Sequence, residues 1–300
     1  MADAVAPDAK DKLVIAVSSR ALFNLDESHQ IYKEQGVEAY AKHQQENEDV
    51  ILEPGVGFSL VKKLMALNTD KTPVDVILLS RNSADTGLRI FNSIEHYGLN
   101  ISRAAFTRGE STHNLVEAFE ADLFLSSNYQ DVQKALAKGF AAASIVGGGN
   151  KNIHKTQLRI AFDGDAVIFS DESEKIYQEQ GMKAFEENEK KAANVELKAG
   201  PFKCFLKSLH KIQSNFDEEN NPIRTALVTA RSAPSHKRVI HTMRAWGIRI
   251  DESFFLGGLD KGVFLDKFGA DIFFDDQHKH CESASKYVPT GHVPNGVANS

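Results

Sequence analysis

The sequence predicts an α/β fold in which two Rossmann-like domains with parallel sheets repeat one another. Residues 26–36 read DESHQIYKEQG and residues 171–181 read DESEKIYQEQG, with eight of eleven positions identical. Residues 78–84 match residues 227–233 in the same order, although the offset grows from 145 to 149. Short apolar runs alternate with helical patterns in both halves, which is typical of parallel sheets. We therefore expect two domains, residues 1–150 and 151–300.

Three apolar, β-branched runs predict buried strands in each half. They lie near residues 13–17, 75–80, 122–126, 159–162, 225–229 and 271–274. Helical patterns fill the intervals, including one over residues 234–246 that Gly247 would end. The stretch GGGN at residues 147–150 is predicted to link the halves, and the tail after Pro289 is predicted to be loosely ordered.

Composition narrows the class of protein. The 300 residues are 42% hydrophobic and 25% charged, which is ordinary for a globular chain. The net charge of -6 argues against a nucleic acid polymer as partner, and no apolar run approaches the ~20 residues that span a bilayer. Only Cys204 and Cys281 are present, so we expect a cytoplasmic protein without disulfides. The sequence does not decide between a monomer and a homo-oligomer.

The two halves differ most where their strands end. Asp163-Gly164-Asp165 stands opposite Ser18-Ser19-Arg20, Thr229 opposite Ser80, Lys261 opposite Thr112, and Asp275-Asp276 opposite Ser126-Ser127. Each acidic residue at a strand end of the second half therefore stands opposite a residue that is not acidic. A single DGD or DD is often only a turn, but the ordered set is far more specific.

These differences predict a site at the carboxyl ends of the second-half strands, where open α/β sheets bind ligands. Four crowded carboxylates need a cation, and oxygen ligands of this kind suit Mg²⁺. A nearby Lys and Thr can hold a phosphoryl group. The chemistry indicated is phosphoryl transfer to a carboxylate.

The ordered motifs resemble those of the haloacid dehalogenase superfamily. Asp163-Gly164-Asp165, Thr229, Lys261 and Asp275-Asp276 resemble its four motifs in turn. The strings AFDGDAVIFSDESE, PIRTALVTARSA and IFFDDQ resemble the AMP-preferring cytosolic type I 5'-nucleotidases, and the likeness runs from about residue 12 to 293.

The resemblance implies a role for each motif residue. Asp163 would be the nucleophile, and Asp165 the acid that protonates the leaving oxygen and then the base that activates water. Mg²⁺ would be held by the Asp163 carboxylate, the Asp165 main-chain carbonyl and Asp276, with Asp275 as a further ligand or a neighbour. Thr229 and Lys261 would bind phosphate oxygens, and Lys267 competes for the lysine role. Gly164, Ala230 and Arg231 are further candidates for substrate contact.

The implied function is Mg²⁺-dependent hydrolysis of nucleoside 5'-monophosphates through an aspartyl-phosphate, with AMP-like monophosphates as the best substrates. Two alternatives remain, a phosphatase for another small phosphomonoester and a non-catalytic nucleotide sensor. Residues 166–224 contain an acidic helical stretch that could form a small cap, with charges expected to face solvent. The first half would be a copy without the catalytic Asp residues, and its role in the pocket stays open.

Overall fold

The computed structural model describes residues 12–69, 73–148, 154–233 and 235–299. Within them ten strands form one sheet: β1 Leu13–Ser18, β2 Val74–Ser80, β3 Arg103–Phe106, β4 Leu123–Ser126, β5 Ala142–Val146, β6 Leu158–Phe162, β7 Ile223–Thr229, β8 Glu252–Phe255, β9 Ile272–Asp275 and β10 Thr290–His292. The six strands predicted from apolar runs are confirmed as β1, β2, β4, β6, β7 and β9. Strands β3, β5, β8 and β10 were not predicted.

The order across the sheet is β3-β2-β1-β4-β5-β10-β9-β6-β7-β8. All pairings are parallel except that of β5 with β10, which is antiparallel. The first half runs from its edge inward as β3-β2-β1-β4-β5, and the second half runs from the other edge inward as β8-β7-β6-β9-β10. The two halves therefore have the same strand order. The α/β class with a mostly parallel, Rossmann-like sheet is confirmed.

Eleven α-helices connect the strands in the described residues. They are α1 Ser19–Leu22, α2 Asp26–Glu46, α3 Phe58–Ala66, α4 Leu88–His96, α5 His113–Ala118, α6 Tyr129–Ala137, α7 Glu172–Lys191, α8 Lys203–Gln213, α9 His236–Ala245, α10 Gly262–Phe268 and α11 His278–Ala284. The helix predicted over residues 234–246 is α9, which begins two residues later. None of the described helices is long and apolar enough to cross a membrane.

Aromatic rings of β6, β9 and α8 belong to the larger of the two apolar clusters in the described residues. Phe162, Phe202, Phe205 and Phe274 are fully buried, and Phe202 and Phe274 pack with their ring centroids 4.8 Å apart. The main cluster of buried apolar residues continues without a break into the first half. The strands that end at the site are thus anchored in packed aromatic rings, which resist displacement.

The halves meet along β5 and β10 and through a buried ion pair. Lys63 Nζ on α3 lies 2.6 Å from Asp271 Oδ1, and both side chains are less than a tenth exposed. At the positions that match this pair in the sequence repeat, Ser208 Oγ donates to Asp122 Oδ1 at 3.3 Å. The predicted boundary at residues 150 and 151 lies outside the described residues.

The prediction of a loosely ordered tail after Pro289 is wrong. Residues Thr290–His292 form β10, which occupies the centre of the sheet between β5 and β9. The segment beyond it is tied down as well, since Asn295 Nδ2 donates to the Ala166 carbonyl at 2.8 Å. Three residues after a proline carry too weak a pattern to indicate a central strand.

Candidate active site

The candidate residues lie at the carboxyl ends of three neighbouring strands. Asp163 follows β6, Thr229 ends β7, and Asp275 ends β9, immediately before Asp276. Strand β6 lies between β7 and β9, and all three run parallel. The end of a parallel strand exposes its last side chains at the same edge as its neighbours, so the sequence order brings these residues together.

Three carboxylates form a buried cluster at this edge. Asp163, Asp275 and Asp276 each offer an oxygen within 4.8 Å of the others. Asp163 is 5% exposed, Asp275 is fully buried and Asp276 is 2% exposed. Such crowding of like charges away from water is unfavourable without a cation.

Lys261 supplies one positive charge to the cluster. It immediately precedes α10, and its Nζ lies 2.9 Å from Asp163 Oδ1 and 2.6 Å from Asp275 Oδ2. Its competitor Lys267 is exposed on the same helix. The structure therefore brings Lys261, and not Lys267, to the carboxylates.

Burial and mutual repulsion separate the acidities of the cluster. Burial raises the pKa of Asp163 to about 6, against the attraction of Lys261. Burial, and then the charges of Asp163 and Asp275, raise the pKa of Asp276 to about 9. For Asp275, Lys261 and His280 prevail over burial and hold the pKa at about 2. One lysine thus leaves the cluster short of positive charge.

The oxygens that remain free show where a cation fits. Asp275 is occupied, since Oδ2 meets Lys261 and Oδ1 accepts the Gln277 amide at 2.9 Å. Asp163 Oδ1 contacts Lys261, but its other carboxylate oxygen has no hydrogen bond or ion pair among the described residues. No hydrogen bond or ion pair to the Asp276 carboxylate occurs among the described residues. Asp163 and Asp276 therefore offer hard oxygen ligands for a divalent cation.

Asp165 stands apart from the cluster. It lies in the tight turn Gly164–Ile168, in which Ala166 has a φ of 58°. Its carboxylate accepts two hydrogen bonds from the Arg231 guanidinium, from Nε at 2.8 Å and from Nη2 at 2.7 Å. A carboxylate held this way has a fixed plane and direction.

The other predicted contact residues surround the same edge. Thr229 is buried, and its Oγ1 accepts the Arg231 amide at 3.2 Å, which leaves the hydroxyl proton free to donate. Gly164 is buried against it, since a Cβ there would lie 3.5 Å from Thr229 Oγ1. Ala230 is exposed between Thr229 and Arg231. Arg231 has committed all three arms of its guanidinium to carboxylates.

Sequence reasoning missed the residues that hold the site in place. Glu189 on α7 was expected to face solvent, yet it is fully buried and accepts a hydrogen bond from Arg231 Nη1 at 2.6 Å. The carbonyl of Asp276 accepts from His292 Nε2 at 2.9 Å and Asn299 Nδ2 at 2.8 Å. The sequence repeat offered one signal for Glu189, since a charged residue stands there at the position where the first half has the neutral Gln44.

The equivalent edge of the first half is built differently. Ser19 Oγ and Ser80 Oγ share a hydrogen bond of 3.1 Å, and Ser18 Oγ accepts the Ser127 amide. Arg81 Nη2 lies 2.6 Å from Asp131 Oδ1. The described residues contain no second carboxylate cluster of the kind found in the other half.

The fold and the site define the class as an α/β protein with a carboxylate centre at its strand ends. A model of the 5'-nucleotidase family matches residues 5–300. The human protein named cytosolic 5'-nucleotidase 1B is 40% identical over 294 residues, which cover 93% of this chain. No solved structure matches the chain. The chain belongs to the 5'-nucleotidase family.

The chain spans about half the length of this curated relative, since the match covers 48% of the human protein. The matched family model nevertheless takes in both halves of the repeat, together with every residue of the candidate site.

Proposed function

We propose that the protein is a Mg²⁺-dependent 5'-nucleotidase that hydrolyses AMP-like nucleoside 5'-monophosphates to nucleoside and phosphate. The observation that carries this proposal is the buried cluster of Asp163, Asp275 and Asp276 with Lys261, at the strand ends of a chain from the 5'-nucleotidase family. The relative bears the word cytosolic in its name, which supports the expected cytoplasmic location.

The first step is attack by an Asp163 carboxylate oxygen on phosphorus. The new P–O bond forms as the bond to the ribose 5'-oxygen breaks, and that oxygen leaves with a proton from Asp165. In the second step Asp165 takes a proton from water, whose oxygen attacks phosphorus. The aspartyl-phosphate is hydrolysed, and Asp163 is regenerated as a carboxylate.

Two residues would bind the transferred phosphoryl group. The free hydroxyl proton of Thr229 and the ammonium of Lys261 both lie at the edge where Asp163 acts. They neutralise charge that develops on the phosphate oxygens during transfer. Gly164 and Ala230 border the same space, and their main-chain amides are proposed substrate contacts.

The Asp163 carboxylate, the Asp165 carbonyl and Asp276 would hold Mg²⁺. When bound, the ion offsets the negative charge of phosphate and carboxylates and so lets the two approach. Asp275 would lie beside the metal ligands without binding the ion itself, because its two oxygens already contact Lys261 and the Gln277 amide.

The two halves would be copies of one haloacid dehalogenase-like domain. The shared strand order and the sequence repeat support duplication, with residues 151–300 catalytic and residues 1–150 lacking the acidic residues at the matching strand ends. Helix α7, inserted after the Gly164–Ile168 turn, would form the small cap.

Release of phosphate from a substrate panel tests the proposed function. AMP, IMP, CMP, deoxynucleotides and sugar phosphates would be compared with added Mg²⁺ and with a chelator. We expect AMP-like monophosphates to be the best substrates and turnover to disappear without the metal. Equal or better rates with sugar phosphates would favour the general phosphatase, and nucleotide binding without turnover would favour the sensor.

Substitution of the nucleophile tests the assignment of Asp163. We expect Asp163→Asn to lose turnover by at least about 10³-fold while far-UV circular dichroism stays unchanged, because an amide cannot replace the carboxylate as nucleophile. Ser18→Ala, the matched change in the first half, should retain nearly all activity. An active Asp163→Asn enzyme would show that the nucleophile is another residue.

A further inference from the structure

Glu189 lies at the centre of a buried ionic network. It is fully buried on α7, and its Oε1 accepts hydrogen bonds from Ser173 Oγ at 2.9 Å and Arg238 Nη1 at 3.0 Å. Its Oε2 accepts from Arg231 Nη1 at 2.6 Å. Both arginines are less than a tenth exposed. The carboxylate of Glu189 therefore separates two buried guanidinium groups that would otherwise repel one another.

The same Arg231 holds the candidate acid. Its Nε and Nη2 form a bidentate pair with Asp165, and its Nη1 is fixed by Glu189. The guanidinium also lies 5.4 Å from the ring centre of Phe185 on α7. The direction of the Asp165 carboxylate thus depends on Arg231, and the place of Arg231 depends on Glu189. Glu189 and Asp165 belong to the same chain of contacts, with Arg231 between them.

The position that matches Glu189 in the first half is Gln44, and that half has no catalytic acid to orient. There Gln44 accepts from Ser28 Oγ at 3.1 Å and Arg89 Nη1 at 3.2 Å, as Glu189 does from Ser173 and Arg238. By the sequence repeat, Asn82 stands opposite Arg231, and Arg20 stands opposite Asp165. A neutral amide is therefore sufficient to pack this position. The charge of Glu189 occurs together with the Arg231–Asp165 pair.

We propose that Glu189 is a positioning residue, which through Arg231 aims the Asp165 carboxyl at the leaving oxygen of the substrate. This inference rests on the function proposed above. It also assigns Arg231 to Asp165 and Glu189, so that Arg231 acts on the reaction through the acid. A loss of aim should slow proton transfer to the leaving group, and should leave binding of the phosphate at Thr229 and Lys261 in place.

Glu189→Gln tests the inference with two substrates that differ in their leaving groups. AMP releases adenosine, whose ribose 5'-oxygen would leave as an alkoxide and so needs a proton, whereas p-nitrophenyl phosphate releases a stable phenolate that needs none. The value of kcat/KM reports the steps up to departure of this group. We expect it to fall by at least about 10-fold for AMP, since a general acid contributes about 10²–10⁴-fold, and by less than about 3-fold for p-nitrophenyl phosphate.

Two further variants keep the result interpretable. Arg231→Lys retains the charge but loses the bidentate fork, so it should produce the same selective loss even if Glu189→Gln folds poorly. Gln44→Ala disturbs the equivalent buried trio of the first half and should leave the ratio of the two substrates unchanged. Thermal unfolding of each variant would show that the protein compared is folded.

The outcomes separate this inference from the proposed function. Equal losses with both substrates would show that Glu189 supports the fold or the binding of phosphate, and would overturn the positioning role. Unchanged kcat/KM for AMP would overturn it as well. Inactivity of the wild-type protein toward both substrates with Mg²⁺ would instead overturn the nucleotidase proposal, and the role of Glu189 with it.

Discussion

At the scale of single residues, Lys261 balances the charge of the carboxylate cluster. Its ammonium is buried and lies within 3 Å of Asp163 and Asp275. Burial lowers the pKa of Lys261, but the two carboxylates outweigh this effect and raise it above its ordinary value. Removal of this group would leave buried carboxylates without a counter-ion, and such a change typically costs about 3–5 kcal/mol.

We therefore predict that Lys261→Met lowers the free energy of unfolding of the metal-free protein by about 3–5 kcal/mol. Urea denaturation in a chelator would measure the loss. Lys267→Met is the matched control, since Lys267 is exposed on the same helix and should change stability by less than about 0.5 kcal/mol. Similar losses in the two variants would show that Lys261 does not balance the cluster.

The raised pKa values predict how pH controls metal binding. The pKa of Asp163 is about 6 and that of Asp276 about 9, both above the value of 3.8 for an ordinary Asp. These carboxyls stabilise the metal-free fold at acidic pH, and that contribution is lost as pH rises through their pKa values. Mg²⁺ binds the ionised form, so it should raise Tm more at about pH 8 than at about pH 5.

Thermal unfolding with and without Mg²⁺ at the two pH values would measure this difference. A variant with both Asp163→Asn and Asp276→Asn should lose it, because neither side chain then titrates. A rise in Tm that is equal at both pH values in the wild-type protein would contradict the assignment of these carboxylates as ligands.

At the scale of elements, the sequence predicted the six strands that have a continuous apolar run and missed β3, β5, β8 and β10. The runs LVIAVS and VDVILLS are apolar along most of their length and nearly fully buried, so composition alone indicates them. Strands β3 and β8 lie at the edges with half-exposed residues, and β10 has only three residues. Their pairing depends on neighbours far away in sequence, which a local pattern does not contain.

The residues of the candidate site also divide into those that the sequence predicted and those that it missed. Asp163, Thr229 and Asp275 were found because they end buried strands and differ from the other half of the repeat. Glu189 was placed on a solvated face because its helix is strongly acidic. Its burial results from tertiary contacts with Arg231 and Arg238, which lie on other elements, and a local sequence pattern does not contain such contacts.

Helix α7 carries a kink that its glycine makes possible. Gly181 has φ 83° and ψ 177°, and Gly36 has nearly the same conformation in α2. Side chains strongly disfavour this region, although a Cβ at Gly181 would meet no atom within 4 Å. We predict that Gly181→Ala lowers the free energy of unfolding by about 1–3 kcal/mol through backbone strain alone.

Urea denaturation would measure this loss against Gly147→Ala, a glycine with open space around it and an ordinary φ. The control should change stability by less than about 0.5 kcal/mol. Equal stability of Gly181→Ala and the wild-type protein would show that α7 straightens without cost.

At the scale of the whole molecule, the ten-stranded sheet joins what the sequence divides into two domains. Strands β5 and β10 pair in the middle, and the apolar core spans both halves. Lys63 of the first half and Asp271 of the second form a buried pair across them. Asp271 also accepts the Arg159 amide at the start of β6. A disturbance at this contact should therefore reach both halves.

We predict that the protein unfolds in a single transition, so that Trp246 fluorescence, which reports the second half, coincides with far-UV circular dichroism, which reports both. Lys63→Met should lower the free energy of unfolding seen by both signals by about 3–5 kcal/mol, since it leaves the carboxylate of Asp271 buried without a counter-ion. Lys62→Met, at the exposed neighbouring position, should shift neither. If Lys63→Met splits the transition and the Trp246 signal stays in place, the halves unfold independently, and the shared core contributes little to their cooperation.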